Sequence, residues 1–289
     1  MSLPESKLRF LVAAACAPII WGSTYFVTSQ FMPSNIPLTI AAMRVLPAGV
    51  LLLLWQRNIP RGGDVLRVAL LGVLNIGFFQ AMLFVSAYRL PGGLASILNA
   101  TQPLMVLLLS SCMNHRPIRR LAWQSAVLGI VGIILLLWSP HAKVDASGMA
   151  AALAGAASMA TGTILAKRWQ IKLPVLAFTG WQLLLGGLCL LPAALWLETL
   201  PAALTTTNIL AHLYLTLFGA VIAYVLFFTG VARLPAALVS SLGLLGPISA
   251  VLLGWGFLDQ TLQGRQLLGF ALVLLSLMGM QKAMLNSSS

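Results

Sequence analysis

The chain holds 289 residues, 60% of them hydrophobic and only 8% charged, with a formal net charge of +12. Soluble domains carry roughly a quarter charged residues, so this composition excludes a water-soluble fold. The chain belongs in a membrane, where the backbone must be satisfied within helices or a closed barrel.

The apolar runs are long and show no strict alternation, which predicts helices rather than barrel strands. Lys7 and Arg9 precede the first run as in a secretion signal. The run continues through Trp21 to Met32, too long for a signal core, so a retained helix is expected over 10–30. Nine more spans follow over 37–56, 65–86, 92–113, 121–138, 148–168, 174–196, 208–229, 236–258 and 265–281. Prolines and charges punctuate them. Cys16, Cys112 and Cys189 lie in or at the end of apolar runs without CxxC spacing, so neither disulfide, metal site nor cofactor is expected.

Orientation follows from the basic residues. With the N-terminus in the cytoplasm, the inner segments hold Lys7, Arg9, Arg57, Arg61, Arg67, Arg116, Arg119, Arg120, Lys167, Arg168, Lys172, Arg233 and Lys282, thirteen in all. The outer segments hold three: Arg89, Lys143 and Arg265. Both termini are therefore expected to be cytoplasmic. Short basic clusters between spans are a topology signal, and no nucleic-acid partner is expected.

One phrase occurs twice. RLPGGLASILNATQP at 89–103 and RLPAALVSSLGLLGP at 233–247 share seven of fifteen residues at a constant offset of 144. Arg89, Leu90, Pro91, Leu94, Ser96, Leu98 and Pro103 recur as Arg233, Leu234, Pro235, Leu238, Ser240, Leu242 and Pro247. The first copy joins spans 3 and 4, the second joins spans 8 and 9. Each half then holds five helices, 10–138 and 148–281, and an odd number sends the second half in from the opposite side. The expected fold is an all-α membrane protein with ten transmembrane helices in two inverted five-helix repeats, a recurrent plan of secondary transporters.

The segments IIWGSTYFV in span 1, AAMRVLPAGVLLLL in span 2 and FLDQTLQGRQLLGFALVLLSLMG at the end resemble the drug/metabolite transporter superfamily. The whole chain is most similar to its ten-helix bacterial exporters of aromatic and other bulky neutral amino acids. The resemblance implies a multi-pass protein of the bacterial cytoplasmic (inner) membrane that exports such amino acids by alternating access. An exporter of other small neutral metabolites or drugs is the alternative. It also implies a central cavity lined by spans 1, 3, 4, 6, 8 and 9, with spans 2, 5, 7 and 10 as scaffold.

About 10 residues of helix reach the midplane of a ~30 Å hydrocarbon core. Depth in the lining spans thus selects Trp21, Thr24, Phe79, Asn99, Thr101, Thr163 and Phe227 as substrate-binding candidates. Amides and hydroxyls bind a zwitterion without carrying charge, and aromatics form apolar walls; the same residues also serve as interhelical glue and packing. Pro103 and Pro247 fall mid-span and predict kinks that can act as hinges. Gln80 lies deep in span 3, and Tyr224 and Phe228 accompany Phe227 in span 8.

Arg44 is the one Lys or Arg well inside a span, others such as Arg67, Lys167, Arg168 and Arg265 sitting at span ends. A charge at the bilayer centre costs about 2.5–3.5 kcal/mol on insertion scales. A carboxylate clamp and a structural residue paired with carbonyls are both open; on a scaffold span the structural role is the expected one. No span contains Asp or Glu. No HExxH, GxSxG or paired membrane aspartates occur, so an enzyme is not expected.

Overall fold

The computed structural model describes residues 5–33, 36–90, 98–114, 118–137, 145–199, 203–257 and 264–285. Among these residues all regular structure is helical, in ten successive runs. Six of them are, by length and composition, long and apolar enough to cross a membrane. The first copy of the repeated phrase lies largely outside the described residues.

Helix α1 is Glu5–Phe31, α2 is Pro37–Trp55, α4 is Gln102–Asn114 and α5 is Arg120–Leu137. In the second half, α6 is Ala146–Trp169, α7 is Val175–Leu197 and α10 is Gly264–Leu285. Three spans are interrupted. Helix α3 runs from Gly63 to Gly72, through a π-helical stretch Val73–Gly77, and on over Phe78–Arg89. Helix α8 does the same over Thr206–Tyr214, Leu215–Ile222 and Ala223–Arg233. Helix α9 consists of Ala236–Leu242 and Leu245–Phe257.

Local chemistry sets the ends. The Asp145 carboxylate accepts the Gly148 N–H at 2.7 Å and so caps α6. Hydrogen bonds from the Ser147 hydroxyl and the Gly148 amide, helped by the nearby Arg89 charge, hold the Asp145 carboxyl below its usual range. Thr205 and Asn208 close a capping box on α8. Pro37 opens α2, where a missing N–H costs nothing. The next two amides, of Leu38 and Thr39, each donate at 2.7 Å to one oxygen of Glu198, brought from the end of α7.

Helix α5 packs along α10, α2 along α7, α3 on α6, and α1 on α8 and α9. Small residues make these seams close, as membrane helices require. A methyl group on Gly49 would stand 2.6 Å from the Leu184 nitrogen, and one on Gly132 2.8 Å from the Gly269 carbonyl.

Contacts at the helix ends join segments assigned to the same side of the membrane. On the side assigned to the cytoplasm, Lys167 donates to the Ala232 carbonyl at 2.9 Å and Arg119 to that of Ala283 at 3.3 Å. There too the Arg233 guanidinium lies 5.5 Å from the Phe10 ring. On the opposite side Arg89 donates to Ser147 at 2.6 Å, and Asn208 to the Phe31 carbonyl at 2.7 Å. The start of α1 and the end of α6 thus share one end of the bundle.

The seam between α3 and α7 gives a direct test of this packing. A methyl on Gly186 would meet the Ile76 Cβ at 2.5 Å and the Gly72 carbonyl at 2.6 Å, whereas Gly264 has nothing within 4 Å. Gly186→Ala is expected to destabilise the protein by about 1–3 kcal/mol through overpacking. Gly264→Ala should melt like the parent protein in detergent.

Candidate functional site

The two π turns shape the centre of the molecule. A π turn is one residue wider than an α turn, so carbonyls beside it leave the regular ladder and can take other donors. The Gly219 carbonyl in α8 accepts the Trp21 indole N–H of α1 at 2.9 Å. The Leu74 carbonyl in α3 accepts the Ser158 hydroxyl of α6 at 2.8 Å. In both cases the first helix of one half reaches into the wide turn of the other half's third helix.

Around Trp21 the aromatic rings form one cluster. Its ring centre lies 5.0 Å from Tyr224 and 5.4 Å from Phe227. Phe228 lies 5.4 Å from Phe227 and 6.1 Å from Tyr224, and Phe178 of α7 lies 5.5 Å from Phe228. Gln80 of α3 donates from Nε2 to the Tyr224 hydroxyl at 3.0 Å. These two buried residues are themselves separated by 144 positions. One turn away Asn75 donates to Gln182 at 2.8 Å, filling the space above Gly162.

A recess of about 440 Å³ leads toward this cluster. Lys167 and Arg233 stand at its rim, and Phe178 and Phe228 line it. It opens at the end of the bundle that carries the first turns of α1, the side assigned to the cytoplasm. A second recess of about 490 Å³ lies between the loop after α2 and the loop after α6, lined by Arg57, Arg61, Asp64 and Lys172. It sits among exposed charges, far from the rings.

The structure brings together Trp21, Phe79 and Phe227, which share one core cluster. Thr24 joins them from the next turn of α1; its hydroxyl is buried, without a hydrogen-bond partner, and faces the region of Gly219. Asn99 ends the helical turn before α4 and Thr101 lies in the break between them, where its hydroxyl donates to the Leu98 carbonyl at 2.6 Å. Thr163 is fully buried and its hydroxyl bonds the Met159 carbonyl of its own helix at 2.8 Å. Both threonines have thus spent their donors locally.

Pro103 and Pro247 differ in detail from mid-helix kinks. Each sits just inside a new helix, and the break lies upstream, at Ala100–Thr101 and at Gly243–Leu244. There the backbone tightens to three-residue bonds, Thr101 N to Leu98 O at 3.2 Å and Gly243 N to Ser240 O at 3.0 Å. A proline cannot donate to the carbonyl four residues back and its ring crowds that carbonyl, so the helix opens on that side.

Residues outside the candidate set carry much of this centre. Gln80, Tyr224 and Phe228 are each at most 1% exposed. Their depth in the spans was legible, whereas the Trp21–Gly219 bond depends on π turns that leave no mark in hydrophobic periodicity.

The EamA-like transporter family matches residues 8–138 and, a second time, 146–281. The chain is 42% identical over 273 residues to Protein PecM of Dickeya dadantii, covering 94% of this chain and 92% of that one. It is 34% identical over 271 residues to the uncharacterized inner membrane transporter YedA of Escherichia coli K12, covering 90% and 88%. A solved protein crystal structure superposes with a TM-score of 0.80 over 97% of this chain and 99% of the other, at 19% identity, which shows a shared fold.

Interhelical polar bonds in membranes average about 0.6 kcal/mol in double-mutant cycles. A cycle on Asn75→Ala and Gln182→Ala should return a coupling of roughly that size in thermal stability. A coupling near zero would show that the pair is not formed.

Proposed function

The chain belongs to the EamA-like transporter family of the drug/metabolite transporter superfamily, and we propose that it exports neutral, mainly bulky or aromatic, amino acids across the bacterial cytoplasmic membrane. The observation that carries the reading is the ring cluster of Trp21, Tyr224, Phe227 and Phe228 between helices of both halves. Such walls suit flat apolar side chains. None of the five acids lies within the apolar spans read from the sequence, so the membrane interior offers a cationic solute no carboxylate. The recess rimmed by Lys167 and Arg233 gives a carboxylate-bearing solute a favourable approach from the cytoplasm.

Alternating access needs two arrangements of one site. In this reading 10–138 and 148–281 are inverted repeats that present equivalent broken helices from opposite faces. Three observations support the inversion: the twofold family match, the shared end of α1 start and α6 end, and the π turns at equivalent places in α3 and α8. The bias of basic residues supports a cytoplasmic location for both termini. Single cysteines at Asn58 and Ser147, both exposed, should therefore label from the cytoplasmic and the outer side respectively. Labelling of both from one side would remove the inversion.

The substrate reading is tested by counterflow in proteoliposomes with labelled amino acids, nucleotide sugars and cationic drugs. Aromatic and bulky neutral amino acids should exchange. Exchange of other small neutral solutes alone would move the reading to a metabolite exporter. Trp21→Ala removes a ring and the Gly219 bond together, and should lower apparent affinity about 10- to 100-fold. Asn99→Leu should do the same in a folded, inserted protein.

A further inference from the structure

We propose that Arg44 is a carboxylate-binding group at the centre of the bundle, so that a solute's carboxylate supplies a counter-charge that no acid among the described residues gives it.

Arg44 lies on α2 and is 5% exposed. Its Nε is buried without a hydrogen-bond partner. The side chain stands against the Tyr224 hydroxyl, the same hydroxyl that accepts from Gln80, and close to His212. Helix α2 packs against α7 and the π stretch of α8, which brings Arg44 inward rather than toward lipid. The charge thus reaches the ring cluster from a helix that the family resemblance treats as scaffold.

Three acids among the described residues have partners elsewhere. Asp64 pairs with Arg67 at 3.2 Å, the one ion pair among the described residues. Asp145 caps α6. Glu198, the acid nearest in the fold, gives one oxygen to each of the Leu38 and Thr39 amides. Arg44 begins five residues after Thr39, about 7.5 Å further along the helix axis. A buried charge without a counter-ion is strongly unfavourable unless something compensates it, and a guanidinium presents a planar fork that matches a carboxylate. His212 Nε2 is likewise buried without a partner. Tyr224 links the two functions, since one residue touches the charge and the aromatic wall.

The inference rests on the amino acid reading only for the identity of the solute, and its test separates the two. In proteoliposomes, exchange of labelled phenylalanine is competed with unlabelled phenylalanine, 3-phenylpropionate and phenethylamine. In parallel, 3-phenylpropionate is tested for thermal stabilisation of the purified chain in detergent. The parent protein should be inhibited by both carboxylates and much less by the amine. Arg44→Gln should weaken binding of both carboxylates by about 10- to 100-fold while leaving phenethylamine unchanged. Arg44→Lys, which keeps the charge but loses the fork, should fall between; it serves also if the glutamine variant does not fold. Should phenylalanine not be exchanged at all while 3-phenylpropionate stabilises the parent and not the variants, the amino acid reading fails and the Arg44 site stands. Equal inhibition by amine and carboxylates in the parent, or unaltered 3-phenylpropionate binding in both variants, overturns it.

Discussion

A bilayer offers no water to a stray carbonyl, and the two π turns each create one. The Gly219 and Leu74 carbonyls are met by side chains of α1 and α6, Trp21 and Ser158. Neither bond is local in sequence. The third helix of each half is therefore completed only by the first helix of the other half, and a five-helix half alone would leave an unsatisfied group in hydrocarbon. The same bonds fix the Trp21 ring against Tyr224 and Phe227. The site and the union of the halves share one cause.

The rest of the interior follows a strict economy of polarity. Buried hydroxyls at Thr161, Thr163 and Thr229 return to carbonyls of their own helices at 2.7–2.8 Å. Buried amides pair across helices, Asn75 with Gln182 and Gln80 with Tyr224. Glycine seams then let backbones approach closely enough for those short side chains to meet. What stays uncommitted at the centre includes apolar rings, the Thr24 hydroxyl and one cation. A solute with an apolar body and one carboxylate complements the rings and the cation at once.

Span number and approximate limits were legible because apolar length and basic punctuation are direct consequences of the bilayer. Six helices meet the spanning length and composition, and α4, α5, α9 and α10 fall where spans were expected. Trp21 and Phe227, chosen by depth within the spans that the family resemblance makes cavity-lining, meet at 5.4 Å. Depth fails for Thr163, which has the right height but the wrong face, because a helix rotates about 100° per residue and an all-apolar helix carries no marker of its inward side. It fails in the other direction for Arg44. A long side chain carries its head away from its backbone, so assigning α2 to the scaffold said little about where the guanidinium would rest. The π turns were illegible for a simpler reason: one extra residue in a uniformly apolar helix leaves the pattern unaltered.

The broken helix α9 shows how such a bundle can move without losing its internal bonds. Its first piece, Ala236–Leu242, packs mainly on α4 and α10. Its second, Leu245–Phe257, packs on α1, where Ser249 donates to the Ile19 carbonyl at 2.9 Å and a methyl on Gly22 would strike the Gly246 carbonyl at 2.5 Å. The pieces therefore belong to different packed groups, and the break at Gly243–Leu244 is the joint between them. Regular helix on both sides keeps its hydrogen bonds while the joint turns. The second piece must turn with α1, because a slide past Gly22 has no clearance, and α1 carries Trp21. A rotation at this joint would carry α1, and with it the Trp21 ring, relative to the first piece of α9.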